Sequence, residues 1–214
     1  MEAGSRAITL SLMAETTPLY QIRLAVRSEL EDIAAGDSVL VAASGGADSS
    51  ALAVALLLEC KAKSIKVIAL IIDHGLQKNS ADVTHETKRT LTKIGYENIE
   101  IRRVTVEITD GLEASARRAR YQALSDVANS HNAVAIFLGH TRDDQAETVL
   151  LGLARGSGSR SLSGMAARVD HYRRPLLSIT RAQTEAACEE AGIKFWQDPH
   201  NQSMEFTRVR VREV

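Results

Sequence analysis

Cysteine, proline and aromatic residues are scarce in this 214-residue chain: two Cys, three Pro, and 4% Phe, Trp and Tyr with a single Trp. Cys60 and Cys188 lie far apart and form no C-x-x-C pair. That argues against a disulfide framework and leaves no sequence sign of a zinc or iron–sulfur site. So sparing a use of cysteine points to a reducing, cytosolic setting. No apolar run approaches the ~20 residues needed to span a bilayer. The weakly apolar start, RAITLSLMAETT, is broken by Thr9 and Ser11 and preceded by Glu2, which spoils it as a secretion signal. There is no internal repeat, and the composition is neither disordered nor fibrous. Net charge is only −1. From Leu151 onward there is a modest basic excess, arginine except for Lys194. That end could face a polyanion, and a solvated surface explains it equally well.

What is there is ordinarily globular: 44% hydrophobic and 25% charged, in a length that suits one domain. A chain of this size buries roughly 70% of its unfolded surface, enough for a core without staples. Thr17 as N-cap, Pro18 at the first helical position and Gly36 at the close predict a helix over 18–35. SVLVAA (Ser38 to Ala43) is short, β-branched and apolar, as a strand buried on both faces should be. Then helix-like SSALAVALLLECKAK, strand-like IKVIALIID, helix-like SADVTHETKRTLTKIG and strand-like NIEIRRVTV alternate. The helix LEASARRARYQALSDVANSH, the strand AVAIFLGH and the helix TRDDQAETVLLGLARG complete the series. Such alternation predicts an α/β fold, a doubly wound, mostly parallel sheet with helices on both faces. After Gly156 the pattern breaks into a Gly/Ser-rich loop. A short strand in YRRPLLSIT, a small C-terminal helix capped by Thr180 and Gln183, and one more strand in IKFWQDP are expected there.

Ligands of a parallel α/β sheet bind at the carboxyl ends of its strands. SGGADS (Ser44 to Ser49) sits at such an end and leads into a helix. Its glycines let the backbone turn tightly and approach a ligand with no side chain in the way. The next residues offer unpaired helix-start N–H groups at the positive end of the helix dipole. That is a cradle for phosphate or pyrophosphate. It is neither a Walker loop, whose lysine is missing, nor G-x-G-x-x-G, so neutralising charge must come from a metal ion or from elsewhere. The plain alternative is a Gly-Gly turn with Asp48 or Ser49 capping a helix.

SGGADS resembles the pyrophosphate loop of the N-type ATP pyrophosphatases, the PP-loop superfamily, which split ATP into AMP and pyrophosphate to activate an oxygen. GHTRDDQAETVLLGLARGSGSRSLSGM (Gly139 to Met165) is closely similar to the tRNA(Ile)-lysidine synthetases, whose pattern is near H-x-x-D-D-Q-A-E-T, R-G-S-G and L-x-G-M. Four more blocks match in order: DHGL (Asp73 to Leu76), EASARRARY (Glu113 to Tyr121), RPLL (Arg174 to Leu177) and DPHNQSMEFTRVRVR (Asp198 to Arg212). Two positions depart. His200 stands where Ser is usual and Val209 where Asn follows the arginine, so no family role carries over to either.

The resemblance implies a Rossmann-like fold of the adenine nucleotide alpha hydrolase type, in which ATP adenylylates the 2-carbonyl oxygen of the wobble cytidine of a tRNA(Ile) with anticodon CAU. Free L-lysine then displaces AMP to form lysidine. Ser44, Gly45, Gly46, Ala47, Asp48 and Ser49 would hold ATP, with Asp48 on Mg²⁺, which prefers carboxylate and phosphate oxygens. Arg117 and Arg120, within one turn of each other, could clamp phosphate oxygens. Asp144 and Glu147 would contact the lysine ammonium and take its proton, and Asp48 and Asp144 would be the catalytic pair. His140 could orient them or touch the nucleotide, or be structural. Arg208 and Arg210 could contact RNA phosphates. Residues 1–37 read as an extension and helix, 38–214 as the catalytic domain. Many family members continue into C-terminal modules that help hold tRNA, which a chain ending at Val214 would lack. A homodimer is left open. The rivals are a tRNA cytidine thiolase of the same superfamily, which usually carries C-x-x-C pairs, a free-amide synthetase, and an ATP-binding sensor that does not split its ligand.

Overall fold

Thr17 Oγ1 accepts the Tyr20 N–H and Pro18 fills the first helical position, so α1 starts at Pro18 and runs to Glu29. The computed structural model describes residues 17–73, 80–105, 111–154 and 163–196. In them β1 (Ser38–Ala43), α2 (Ala47–Ala62), β2 (Lys66–Asp73), α3 (Ser80–Ile94), β3 (Asn98–Arg103), α4 (Leu112–Ser130) and β4 (Ala133–Phe137) follow in strict alternation. Then come α5 (Arg142–Ala154), a hairpin of β5 (Arg168–Val169) and β6 (Tyr172–Arg173), and α6 (Arg181–Glu190).

The sheet order is β3-β2-β1-β4-β6-β5, and every pairing is parallel except β5 with β6. Because side chains alternate across a strand, β1 serves two cores. Val39, Val41 and Ala43 pack with Leu19, Ile22 and Val26 of α1, with α2, and with Ala187 and Cys188 of α6. Leu40 and Ala42 pack with Leu124, Val127 and Ala128 of α4 on the other face. The doubly wound, mostly parallel sheet with a small C-terminal helix is therefore as the sequence predicts. Between α1 and α2, the buried Glu59 carboxylate accepts from Arg23 Nε at 2.7 Å and Arg27 Nε at 2.8 Å.

Two expectations for the end of the chain need correction. YRRPLLSIT yields only two strand residues, Tyr172 and Arg173. The Arg174 N–H turns back to Ala167 O, and Pro175 has no N–H for a ladder. The partner strand β5 carries no strand-like pattern of its own. IKFWQDP forms no strand over 193–196, and its remainder lies outside the described residues. After Gly192 closes α6, the Trp196 N–H instead donates to Gly45 O at 2.9 Å.

The chain moves outward from β1 to β2 to β3, then returns to the far side of β1 at β4. The strand order thus reverses between β1 and β4, and a crevice opens outside their carboxyl ends. The candidate site is built there.

Candidate active site

Residues 44–46 join β1 to α2. Gly45 has φ +85°, and a Cβ on it would overlap Thr87 Oγ1 of α3. Its glycine character is thus demanded by the turn and by the helix behind it. Gly46 is the N-cap with no side-chain cap, and α2 begins at Ala47. Ser49 braces the turn from inside: its Oγ accepts the Ser44 N–H at 3.1 Å and its hydroxyl donates to Gly46 O at 3.1 Å. The Ser44 amide is therefore already engaged. Among the described residues, no acceptor is found for the amides of Gly46, Ala47, Asp48 and Ser49, the four orphan donors of a helix start. Across the crevice, a Cβ on Gly139 would lie 3.2 Å from the Asp48 carbonyl, so glycine there lets the two turns touch.

A cleft of about 240 Å³ lies over these donors. Ser44, Gly46, Ala47, Asp48 and Ser49 form one wall, and Gly139 and His140 form the other. Arg120 enters from α4, Asp144 from α5, and Arg181 and Trp196 from the C-terminal part of the chain. The charges are sorted. Burial pushes the Asp48 carboxyl up, opposed by the Thr184 hydroxyl and Arg181, and Asp144 and Asp143 push it further up. Arg120 is lowered by burial, and no hydrogen bond or ion pair to it is found among the described residues. Burial, and next the Arg120 guanidinium, lower His140 to about 4, so the imidazole is neutral at physiological pH. Among the described residues its buried Nδ1 has no hydrogen-bond partner.

The remaining candidates separate. Asp144 Oδ2 accepts from both the amide (2.7 Å) and the hydroxyl (3.0 Å) of Thr141, closing the start of α5. Asp143 Oδ2 accepts the Arg181 N–H at 2.9 Å and ties α6 to α5. Glu147, one turn on, is buried at 6% exposure and is not among the cleft-lining residues. Arg117 is exposed, donates to Tyr121 Oη and lies 5.0 Å over that ring, so it is Arg120 alone of the pair that lines the cleft. Arg208 and Arg210 lie outside the described residues. Arg181, Thr184 and Trp196 went unread in the sequence. A basic residue in the first turn of a helix, against the dipole, is the signal that could have singled out Arg181; the other two carry none.

Among the described residues no three His, Cys, Asp or Glu side chains converge on a point. Asp48, with Asp144 beside it, is a sparse oxygen-donor set of the kind Mg²⁺ takes when phosphates and waters complete its shell. The burial and like charges that raise Asp48 are what such a cation would relieve.

The PP-loop domain family matches residues 18–214. The protein belongs to that family. Among PP-loop relatives it is 47% identical over 195 residues to tRNA(Ile)-lysidine synthase of Thermobifida fusca, covering 91% of this chain and 60% of that one. To tRNA(Ile)-lysidine synthase of Streptomyces coelicolor it is 50% identical over 177 residues, covering 81% and 50%. The likeness to lysidine synthetases read from the six blocks is thereby borne out. The chain spans between half and about three-fifths of the length of these curated relatives. The PP-loop fold also superposes on the U34-tRNA thiolase NcsA of Methanococcus maripaludis, solved with its iron–sulfur cluster. The TM-score is 0.76 at 18% identity, over 92% of this chain and 70% of that one, a likeness of fold.

Proposed function

We propose that this PP-loop protein is an ATP-dependent tRNA-modifying ligase. It adenylylates the 2-carbonyl oxygen of the wobble cytidine of tRNA(Ile) with anticodon CAU and joins free L-lysine to that carbon, releasing pyrophosphate and then AMP. The observation that carries the reading is the row of orphan helix-start donors at the strand switch point, in a chain 44–50% identical to curated tRNA(Ile)-lysidine synthases.

The amides of Gly46 to Ser49 hold the departing pyrophosphate where the helix dipole favours negative charge. Arg120, desolvated and with no ion pair found among the described residues, meets a phosphate oxygen in a low-dielectric setting where such a contact is strong. Asp48 would hold Mg²⁺, which when bound supplies charge that stabilises the leaving group. Neutral His140 orients the nucleotide by hydrogen bonding without adding charge. The lysine ammonium, with an ordinary pKa of ~10.4, needs an anionic pocket and a base before it can attack. Asp144 and Glu147 supply both from α5. Arg208 and Arg210 serve RNA phosphates, and residues 38–214 form the catalytic domain with α1 of the 1–37 extension packed on α2 and α6. ATP, lysine and tRNA meet in the cytoplasm. That fits a chain in which no helix of the described residues is long and apolar enough to cross a membrane. Both cysteines are buried with thiols pushed up to about 12 by burial, which suits packing and not the thiolate chemistry of a thiolase.

The test is incubation with ATP, Mg²⁺, labelled lysine and a CAU-anticodon tRNA(Ile) transcript, with a methionine tRNA of the same anticodon as control. Acid-insoluble label on the first tRNA and not the second is expected. Pyrophosphate release without label transfer would overturn the lysine assignment, and no release at all would overturn the ATP-splitting one.

A further inference from the structure

Asp48 stands in the first turn of α2, and one of its two oxygens is already taken. The Thr184 hydroxyl donates to Asp48 Oδ1 at 2.5 Å, from a residue 136 positions away in sequence. Thr184 is completely buried on α6, and four residues later Cys188 reaches Ala47 O at 3.4 Å. A spacing of four puts both on one helix face, so α6 grips the first two residues of α2 side by side. The α6 helix has no need of a threonine here: a β-branched residue inside a short helix is mildly unfavourable, and a buried hydroxyl must find a partner. A partner within the helix is available, because Thr184 Oγ1 also lies 2.7 Å from Arg181 O. One hydroxyl hydrogen is at best shared between the two acceptors, and an ionised carboxylate is the stronger of them.

The torsion that turns a carboxylate is broad and two-fold, not a sharp rotamer, so an Asp at a cleft wall swivels unless an oxygen is held. Oδ1 is held, and no hydrogen bond to Oδ2 is found among the described residues. We infer that Thr184 is a positioning residue of this site: its hydroxyl anchors Asp48 Oδ1 and leaves Oδ2 set for the cation that accompanies the nucleotide's phosphates. The inference rests on reading the cleft as a magnesium–ATP site.

Thr184→Val keeps the shape and removes the hydroxyl, Thr184→Ala removes it with less risk of crowding, and Thr184→Ser keeps it. Calorimetric binding of α,β-methylene ATP, with Mg²⁺ and separately in EDTA, reads positioning without turnover. Both hydroxyl-free variants should bind the magnesium form about tenfold more weakly, the effect expected for loss of one charge-assisted hydrogen bond. Binding in EDTA should stay unchanged, and Thr184→Ser should restore the wild-type pattern. The Mg²⁺ concentration for half-maximal pyrophosphate release should rise in parallel. Equal weakening with and without Mg²⁺ would make Thr184 a packing residue, and unchanged binding would mean that Asp48 needs no anchor; either overturns the inference while the nucleotide site stands. A wild-type protein that binds the analogue in neither condition would overturn the nucleotide reading and the inference with it.

Discussion

Replacing Gly45 by alanine separates two constraints that a glycine turn usually confounds. The first is backbone conformation: at φ +85° an L-residue is strained by roughly 1–2 kcal/mol. The second is the neighbour, since the new Cβ would overlap Thr87 Oγ1. That hydroxyl is not free to swing aside, because it donates to Val83 O at 2.7 Å from a buried side chain. Giving up such a bond costs about 1 kcal/mol. Gly36 supplies the reference, with φ +91° and nothing within 4 Å of an added Cβ. Gly36→Ala should therefore lose roughly 1–2 kcal/mol and Gly45→Ala about 2–3 kcal/mol.

Urea unfolding followed by far-ultraviolet circular dichroism measures both, provided the slope with denaturant stays constant across the set. In a Thr87→Ala background the cost of Gly45→Ala should fall to that of Gly36→Ala, a coupling of about 1 kcal/mol. If Gly45→Ala costs no more than Gly36→Ala, or the double-mutant cycle shows no coupling, then α3 does not press on the loop and the reasoning fails.

Three further outcomes are expected. Asp48→Ala should abolish pyrophosphate release while leaving the circular dichroism spectrum intact; normal turnover would remove its metal role. Glu147→Gln should raise the lysine requirement more than the ATP requirement in steady-state assays, and a shift in ATP dependence instead would mean the lysine pocket is misplaced. Glu59 carries a pH signature. Burial alone would raise its carboxyl, but hydrogen bonds from Arg27 and Arg23 outweigh that and hold it below the usual carboxylate range. Such a group stabilises the fold above its unfolded pKa and loses that contribution as pH falls through the folded value. Glu59→Gln should therefore cost about 1–3 kcal/mol at neutral pH, with the gap to wild type closing in acid; a gap that is constant with pH would refute it.

The long alternating elements were legible because their signals are local. β1, β2 and β4 are apolar runs, β3 alternates its two isoleucines with polar residues, and the capping box of Thr180 and Gln183 is written within four residues and forms as expected. The loop from Ser44 to Ser49 was legible for the same reason, since strand, glycines and helix start are contiguous. The hairpin was not. β5 is two exposed residues, and only the neighbouring β6 makes it a strand. Nor could the sequence tell Arg117 from Arg120. One turn apart on one face of the helix, they differ in their surroundings: Arg117 lies over the Tyr121 ring, and of the two it is Arg120 that lines the cleft.

Sequence alone determined the fold class, the place of the strand–glycine–helix turn and the family, because each depends on residue types in contiguous blocks. Tertiary structure alone decided what surrounds that turn: Thr87 behind Gly45, the Trp196 N–H on Gly45 O, and Thr184 on Asp48. Those partners are separated along the chain by 42, 151 and 136 positions. Periodicity and capping report only neighbours along the chain, so contacts made by folding distant segments together leave no pattern in either segment.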